Sequence, residues 1–126
     1  MENGRKVLAL VAHDGKKAEI VAWAMSNVEN LKNYVLVGTG HTAKLISDAT
    51  GLKVRPYLSG PMGGDLEIGA DVARGLIDGI VFFWDPLSMQ PHDPDIKALL
   101  RIAVVYDVPI CTNKVTADLL FRPAKN

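Results

Sequence analysis

The chain has 126 residues, 48% of them hydrophobic, and 14 Lys+Arg balance 14 Asp+Glu. That length fits one domain, residues 1–126, with apolar side chains enough for a core. Zero net charge argues against a partner recognised by bulk electrostatics, so neither a nucleic acid nor an anionic membrane surface is expected. Cys111 is the only cysteine, which excludes an internal disulfide. Its setting, V-P-I-C-T, reads as a buried strand with inert packing. A reducing cytoplasm is the expected compartment. The apolar run after M-E-N-G-R-K is too short for a membrane span, and no small-residue cleavage site follows. A soluble, unprocessed protein is therefore expected.

Lys6 to Ala12 is a continuous apolar run, the pattern of a strand covered on both faces. A helix follows over Lys16 to Asn27, with Asp14 placed to cap it. Tyr34 to Val37 reads as a second strand, and the helix after Gly38 stops at Gly51. Val54 to Leu58 is the third strand and leads into the loop Ser59 to Asp65. A helix over Asp65 to Arg74 comes next. Ile80 to Trp84 is the fourth strand, bounded by Asp85-Pro86. Pro94 fits the first turn of the next helix. Val108 to Thr112 is the fifth strand, and Asn113 can cap a last helix from Val115 to Phe121. Strands alternating with helices imply parallel pairing through right-handed crossovers. The expected fold is α/β: a single doubly wound, Rossmann-like domain around a five-stranded parallel sheet.

Ligands in such sheets bind at the carboxyl ends of the strands. The chemistry-bearing residues fall there: His13 and Asp14, Thr39 to Thr42, Ser59 to Asp65, and Asp85 to Asp95. Gly38-Thr39-Gly40-His41-Thr42-Ala43 matches G-x-G-x-x-A between a strand and a helix. Its glycines admit a ligand close to the backbone, and the helix start offers free N–H groups, which suits a phosphate. Dinucleotide binding is disfavoured because no acid ends the third strand. The lysine of a P-loop is also missing. Ser59-Gly60 could add a hydroxyl and an N–H to the same anion, and Lys17 a cation. His13 and His92 are acid/base or hydrogen-bond candidates. Asp65, among glycines at a helix start, is either a cap or a base. No tight ligand spacing such as H-E-x-x-H or C-x-x-C occurs, so no metal site is expected. A phosphate-binding regulatory domain would need the glycine cradle but not Asp65, His92 and Asp95. A nicotinamide-dependent fragment would need the missing ribose acid.

The segments V-A-H-D, G-T-G-H-T, L-S-G-P-M-G-G-D, F-F-W-D-P-L, P-H-D-P-D-I-K-A-L-L-R and T-N-K-V-T-A-D run in order from Val7 to Leu120. In this the sequence resembles the methylglyoxal synthase family. Its wider fold group includes regulatory domains of carbamoyl phosphate synthetase, which lack that set. The resemblance implies a phosphate-lyase that converts dihydroxyacetone phosphate to methylglyoxal and inorganic phosphate. It implies no metal and no organic cofactor. It makes Asp65 the base and gives His13, Lys17, Thr39, Gly40, His41, Thr42, Ser59, Gly60 and His92 substrate contacts. Asp95 and Asp85 match acids that support the site. The expected catalytic set is Asp65, His92 and Asp95, with His92 as the donor at the carbonyl oxygen, and Asp14 and Asp85 are supporting residues. A homohexamer inhibited by phosphate is further implied. Two departures stand out. His41 replaces a common threonine, and the chain ends soon after Phe121, where some members carry a longer basic tail. Coupling through such a tail is therefore not expected here.

Overall fold

The computed structural model describes residues 4–121. Five parallel strands form one sheet: β1 (Val7–Ala12), β2 (Val35–Gly38), β3 (Val54–Pro56), β4 (Gly79–Phe83) and β5 (Ile110–Cys111), in spatial order β3-β2-β1-β4-β5. The helices are α1 (Lys17–Ser26), α2 (Val28–Leu31), α3 (Gly40–Thr50), α4 (Gly64–Ala73), α5 (Asp93–Val105) and α6 (Lys114–Phe121). The expected doubly wound sheet is thus the observed one.

All six residues of β1 are buried, because it is the central strand. Its side chains alternate between two cores. Leu8, Leu10 and Ala12 join Ile20 and Trp23 of α1, Ile46 of α3 and Phe121 of α6. Val7, Ala9 and Val11 join Ile68 and Val72 of α4 and Ile96 and Leu99 of α5. That two-sided demand is why the segment reads as unbroken apolar residues rather than as an alternation. Phe82 and Phe83 divide between the same two cores. Trp84 lies just past the strand and is only half-buried. Cys111 is buried, as expected, and burial pushes its thiol up to about 12.

Four boundaries differ from the sequence reading. The third strand ends at Pro56, not Leu58, because the Leu58 N–H turns away to Glu67 instead of joining the ladder. The chain leaves with one last bond, from Tyr57 N–H to Gly38 O at 2.7 Å. The fifth strand is reduced to two residues; Pro109 precedes it and contributes only its carbonyl, to Ile80 N–H. A further short helix, α2, follows the first one at Asn27, where the sequence reading places no helix. Finally, Asp14 does not cap α1. It opens a short 3-10 turn, Asp14–Lys16, and its carboxylate instead takes Lys17 Nζ at 2.8 Å. By contrast Asn113 caps α6 as expected, its Oδ1 accepting from Thr116 N–H at 2.9 Å.

One sheet-setting contact was not visible in the sequence. Val7 starts β1 one residue before the β4 ladder begins at Leu8 and Gly79. Its N–H donates instead to Asp78 Oδ2 at 2.8 Å, while Asp78 N–H donates to Val7 O at 2.8 Å. This closed pair staples the two central strands across 71 residues of sequence. Asp78→Ala leaves a part-buried amide without its acceptor. It should destabilise the fold by about 1–2 kcal/mol, read from the midpoint of urea unfolding, with no change in the residues of the cleft described next.

Candidate active site

Sheet order decides where the cleft lies. The chain moves outward from β1 to β2 and β3, then returns to the other side of β1 at β4. The loops after β1 and β4 therefore diverge, and a crevice opens between them at the carboxyl ends. A cleft of about 180 Å³ is found there. Drug-sized pockets hold roughly 300–1,000 Å³, so this one suits a small metabolite.

Each of the four preceding strands contributes a wall. From β1 come His13, Asp14 and Lys17; from β2, Thr39 and His41. The loop after β3 supplies Ser59, Gly60 and Asp65, and the loop after β4 supplies His92. Gln90 and Pro61 also line it, and the sequence reading had singled out neither. Gln90 carries no motif signal, since a loop glutamine is common; only the position of its loop brings it to the cleft. Gly40, Thr42, Asp85 and Asp95 do not line it. Thr42 is fully buried and its Oγ1 donates to Ala12 O at 3.5 Å, so the hydroxyl ties α3 to β1 instead of facing the cleft. Asp85 and Asp95 stand one layer behind, against His13 and Asp65 respectively.

Asp65 is the centre of the geometry. It is 1% exposed, in the first turn of α4, and neither carboxylate oxygen has an aligned protein donor. His92 Nε2 is 3.4 Å from Asp65 Oδ2, within ion-pair reach but not aligned as a hydrogen bond. Burial raises the Asp65 carboxyl above the usual carboxylate range. His92 opposes that shift, and Asp95 adds to it. The structure thus rules out the cap role for this side chain. A desolvated, unpartnered carboxylate at a cleft wall is what proton abstraction requires.

The two imidazoles are held differently. The Asp85 main-chain N–H donates to His13 Nδ1 at 2.9 Å. That bond places the proton of neutral His13 on Nε2, which is buried at the cleft with no protein partner. Burial, followed by His92, lowers the His13 pKa and keeps the ring neutral. The His13 and His92 rings meet edge to face, 5.9 Å between centroids. His92 Nε2 also faces the backbone of Gly60, where a Cβ would lie 2.8 Å from it. A side chain at that position would drive the imidazole away from Asp65.

An anion would meet positive charge in this cleft. Lys17 is half-buried, its Nζ fixed by Ala12 O at 3.1 Å and by Asp14, whose carboxyl that bond holds below its ordinary range. The first amide to bond back within α3 is Ala43, to Thr39 O at 2.8 Å. The amides of His41 and Thr42 therefore stay outside the helix ladder, at the positive end of its dipole. The exposed His41 ring stands beside them on the rim. Among the described residues no group of three or more His, Cys, Asp or Glu could hold a metal ion.

Known proteins place this arrangement. The family model of the MGS-like domain matches residues 19–112. A methylglyoxal synthase of Clostridium acetobutylicum is 58% identical, over 95% of this chain and 83% of its own length. One from Leptospira interrogans is 54% identical over 91% of this chain and 78% of its own. The crystal structure of methylglyoxal synthase from Elizabethkingia anophelis superposes with a TM-score of 0.88 at 43% identity, covering 94% of this chain and 78% of that one. The sheet order, the carboxyl-end cleft and these matches together assign the chain to the methylglyoxal synthase family.

Proposed function

We propose that the protein converts dihydroxyacetone phosphate to methylglyoxal and inorganic phosphate, with Asp65 as the base. The observation that carries this reading is the buried Asp65 carboxylate, unpartnered and 3.4 Å from His92, on the wall of a small cleft. Asp65 takes a proton from the hydroxymethyl carbon beside the ketone. The electron pair moves onto the carbonyl oxygen, where His92 donates a hydrogen bond and the neutral His13 Nε2–H offers a second donor. The enediolate then expels phosphate as its C–O bond breaks. The enol left behind takes up a proton and ketonises to methylglyoxal. Lys17, Thr39, Ser59, Gly60 and the α3 amides of His41 and Thr42 hold the phosphate and accept its charge on departure, while the Gly40 amide is already given to Leu58 O. Asp95 and Asp85 act from behind, through Asp65 and His13.

A phosphate-binding regulatory domain would use the α3 end alone. It would have no use for a desolvated acid, which costs stability where it stands. Incubating the pure protein with dihydroxyacetone phosphate tests the choice. Release of methylglyoxal and phosphate in equal amounts is expected, and release of neither would overturn the enzyme reading.

Asp65→Asn keeps the shape but cannot accept a proton. Turnover should fall by about 10²-fold or more. The effect on stability has the opposite sign. The folded carboxyl holds its proton to a higher pH than the unfolded one, so ionising it at neutral pH works against folding. The variant should therefore melt at the same temperature as the wild type or higher. Retained turnover in a well-folded Asp65→Asn protein would move the base elsewhere.

The raised Asp65 carboxyl also fixes the acid limb of the pH profile. Only the ionised form acts as a base, so kcat/KM should begin to fall at a pH above the ordinary carboxylate range as the solution is acidified. A profile flat down to that range would contradict the assignment.

Assembly belongs to the same reading. Leu58, Met62, Leu87 and Met89 on the loops after β3 and β4, and Leu66 in the first turn of α4, are large, exposed and apolar, Leu87 and Met89 almost fully bare. Such a rim favours association, and a homohexamer in the cytoplasm is the form proposed, with inorganic phosphate as a competing inhibitor. Among the described residues no helix is long and apolar enough to cross a membrane. Light scattering at micromolar concentration should give six chains; a fully active monomer would refute it.

A further inference from the structure

The main chain of Leu58 is bonded on both sides. Its N–H donates to Glu67 Oε1 at 2.7 Å, one turn into α4. Its carbonyl accepts from Gly40 N–H at 3.3 Å, at the start of α3. The same carbonyl lies so close to Gly64 that a Cβ there would be 1.9 Å away. The main chain of one residue therefore spans the gap between the helix end that faces an anion and the helix that carries Asp65. Behind it, the Tyr57 hydroxyl donates to Asp71 further along α4, which repeats the tie on the same helix.

We propose that Glu67 is a positioning residue: by accepting the Leu58 N–H, its carboxylate sets the distance between the phosphate-binding end of α3 and the Asp65 carboxylate. The inference rests on the functional reading above. It follows from three bonds that share no side chain of the cleft. Glu67 is exposed and does not line the cleft, so its role cannot be a substrate contact. Its effect must pass through the Leu58 peptide. If Glu67 let go, the Ser59–Gly63 loop would keep its internal bonds, Met62 and Gly64 N–H to Ser59 O at 3.0 and 2.9 Å. It would lose its tie to the first turns of α4, keeping only the Tyr57–Asp71 bond further along, and with that tie the registration of Asp65 against bound phosphate. Elimination needs both ends of one small substrate placed at once, whereas phosphate alone needs only the α3 end. Turnover should be sensitive to the tether and phosphate affinity should not.

The experiment compares wild type, Glu67→Ala, Glu67→Gln and Asn113→Ala. Turnover is read from methylglyoxal and phosphate release, inorganic phosphate affinity from calorimetry, and stability from thermal unfolding. In Glu67→Ala, kcat should fall about tenfold or more, as for a small misplacement of a reacting group, with phosphate affinity unchanged. Glu67→Gln keeps an acceptor oxygen without the charge and should restore kcat. Asn113→Ala loses the cap of α6, far from this tether, and should lower the melting temperature without lowering kcat. Hydrogen exchange at the Leu58 amide should quicken in the alanine variant and not in the glutamine one. An alanine variant with wild-type kcat overturns the inference alone, as does a glutamine variant no better than alanine or a phosphate affinity that falls in step with kcat. A wild type that releases neither product overturns the functional reading and this inference with it.

Discussion

An acid that is 1% exposed and has no aligned donor on either oxygen is an expensive thing to fold around. Much of the structure near the cleft is arranged to make Asp65 tolerable there. It sits in the first turn of α4, where the helix dipole favours negative charge. Gly63, at φ 108°, lets the chain turn into that helix, and Gly64 lets the helix start pack directly on the Leu58 carbonyl. His92 supplies the nearest polar group. The remaining cost is retained, and it raises the carboxyl above the usual carboxylate range, as the proposed base role requires.

The sheet explains why these groups converge. Only one pair of neighbouring loops diverges in the order β3-β2-β1-β4-β5, and it flanks the central strand. His13 at the end of β1 and the loop after β4 meet across that opening. The Asp85 amide, on the β4 side, sets the tautomer of a histidine on the β1 side. Backbone, unlike a side chain, does this with no titration of its own. The buried walls of β1 and β4 hold the two loops at fixed separation, since Leu10 and Val11 pair with Val81 and Phe82 in a register that allows no slip without exposing a core face.

The loops behave differently from the sheet. Leu87 and Met89 leave the core altogether, and the short edge strands β3 and β5 carry or follow a proline. Short, proline-marked edge strands resist open-ended pairing with other chains. Thr42 also departs from its expected use. A threonine in the first turn of a helix beside a glycine cradle suggests an anion contact, yet its hydroxyl faces the neighbouring strand. The free end of α3 presents main-chain amides, and the glycines of G-x-G-x-x-A mark that end without marking which side chains turn away from it.

The sequence by itself determined the class of fold, because β1, β2 and β4 must bury both faces and so carry unbroken apolar runs. It also determined the four loops that bear the chemistry, because glycine, proline and acids are confined to strand ends where backbone geometry demands them. The family could be read for the same reason: the loop motifs recur in order. What only the tertiary structure decided was which of those residues face one another. His92 and Asp65 come from loops after different strands, and their 3.4 Å separation depends on sheet order and on Gly60 leaving room. The tethers formed by Asp78 and Glu67 were equally hidden, since each pairs a side chain with a distant backbone N–H. A backbone amide is the same at every residue, so nothing in the sequence marks the one that a carboxylate will reach.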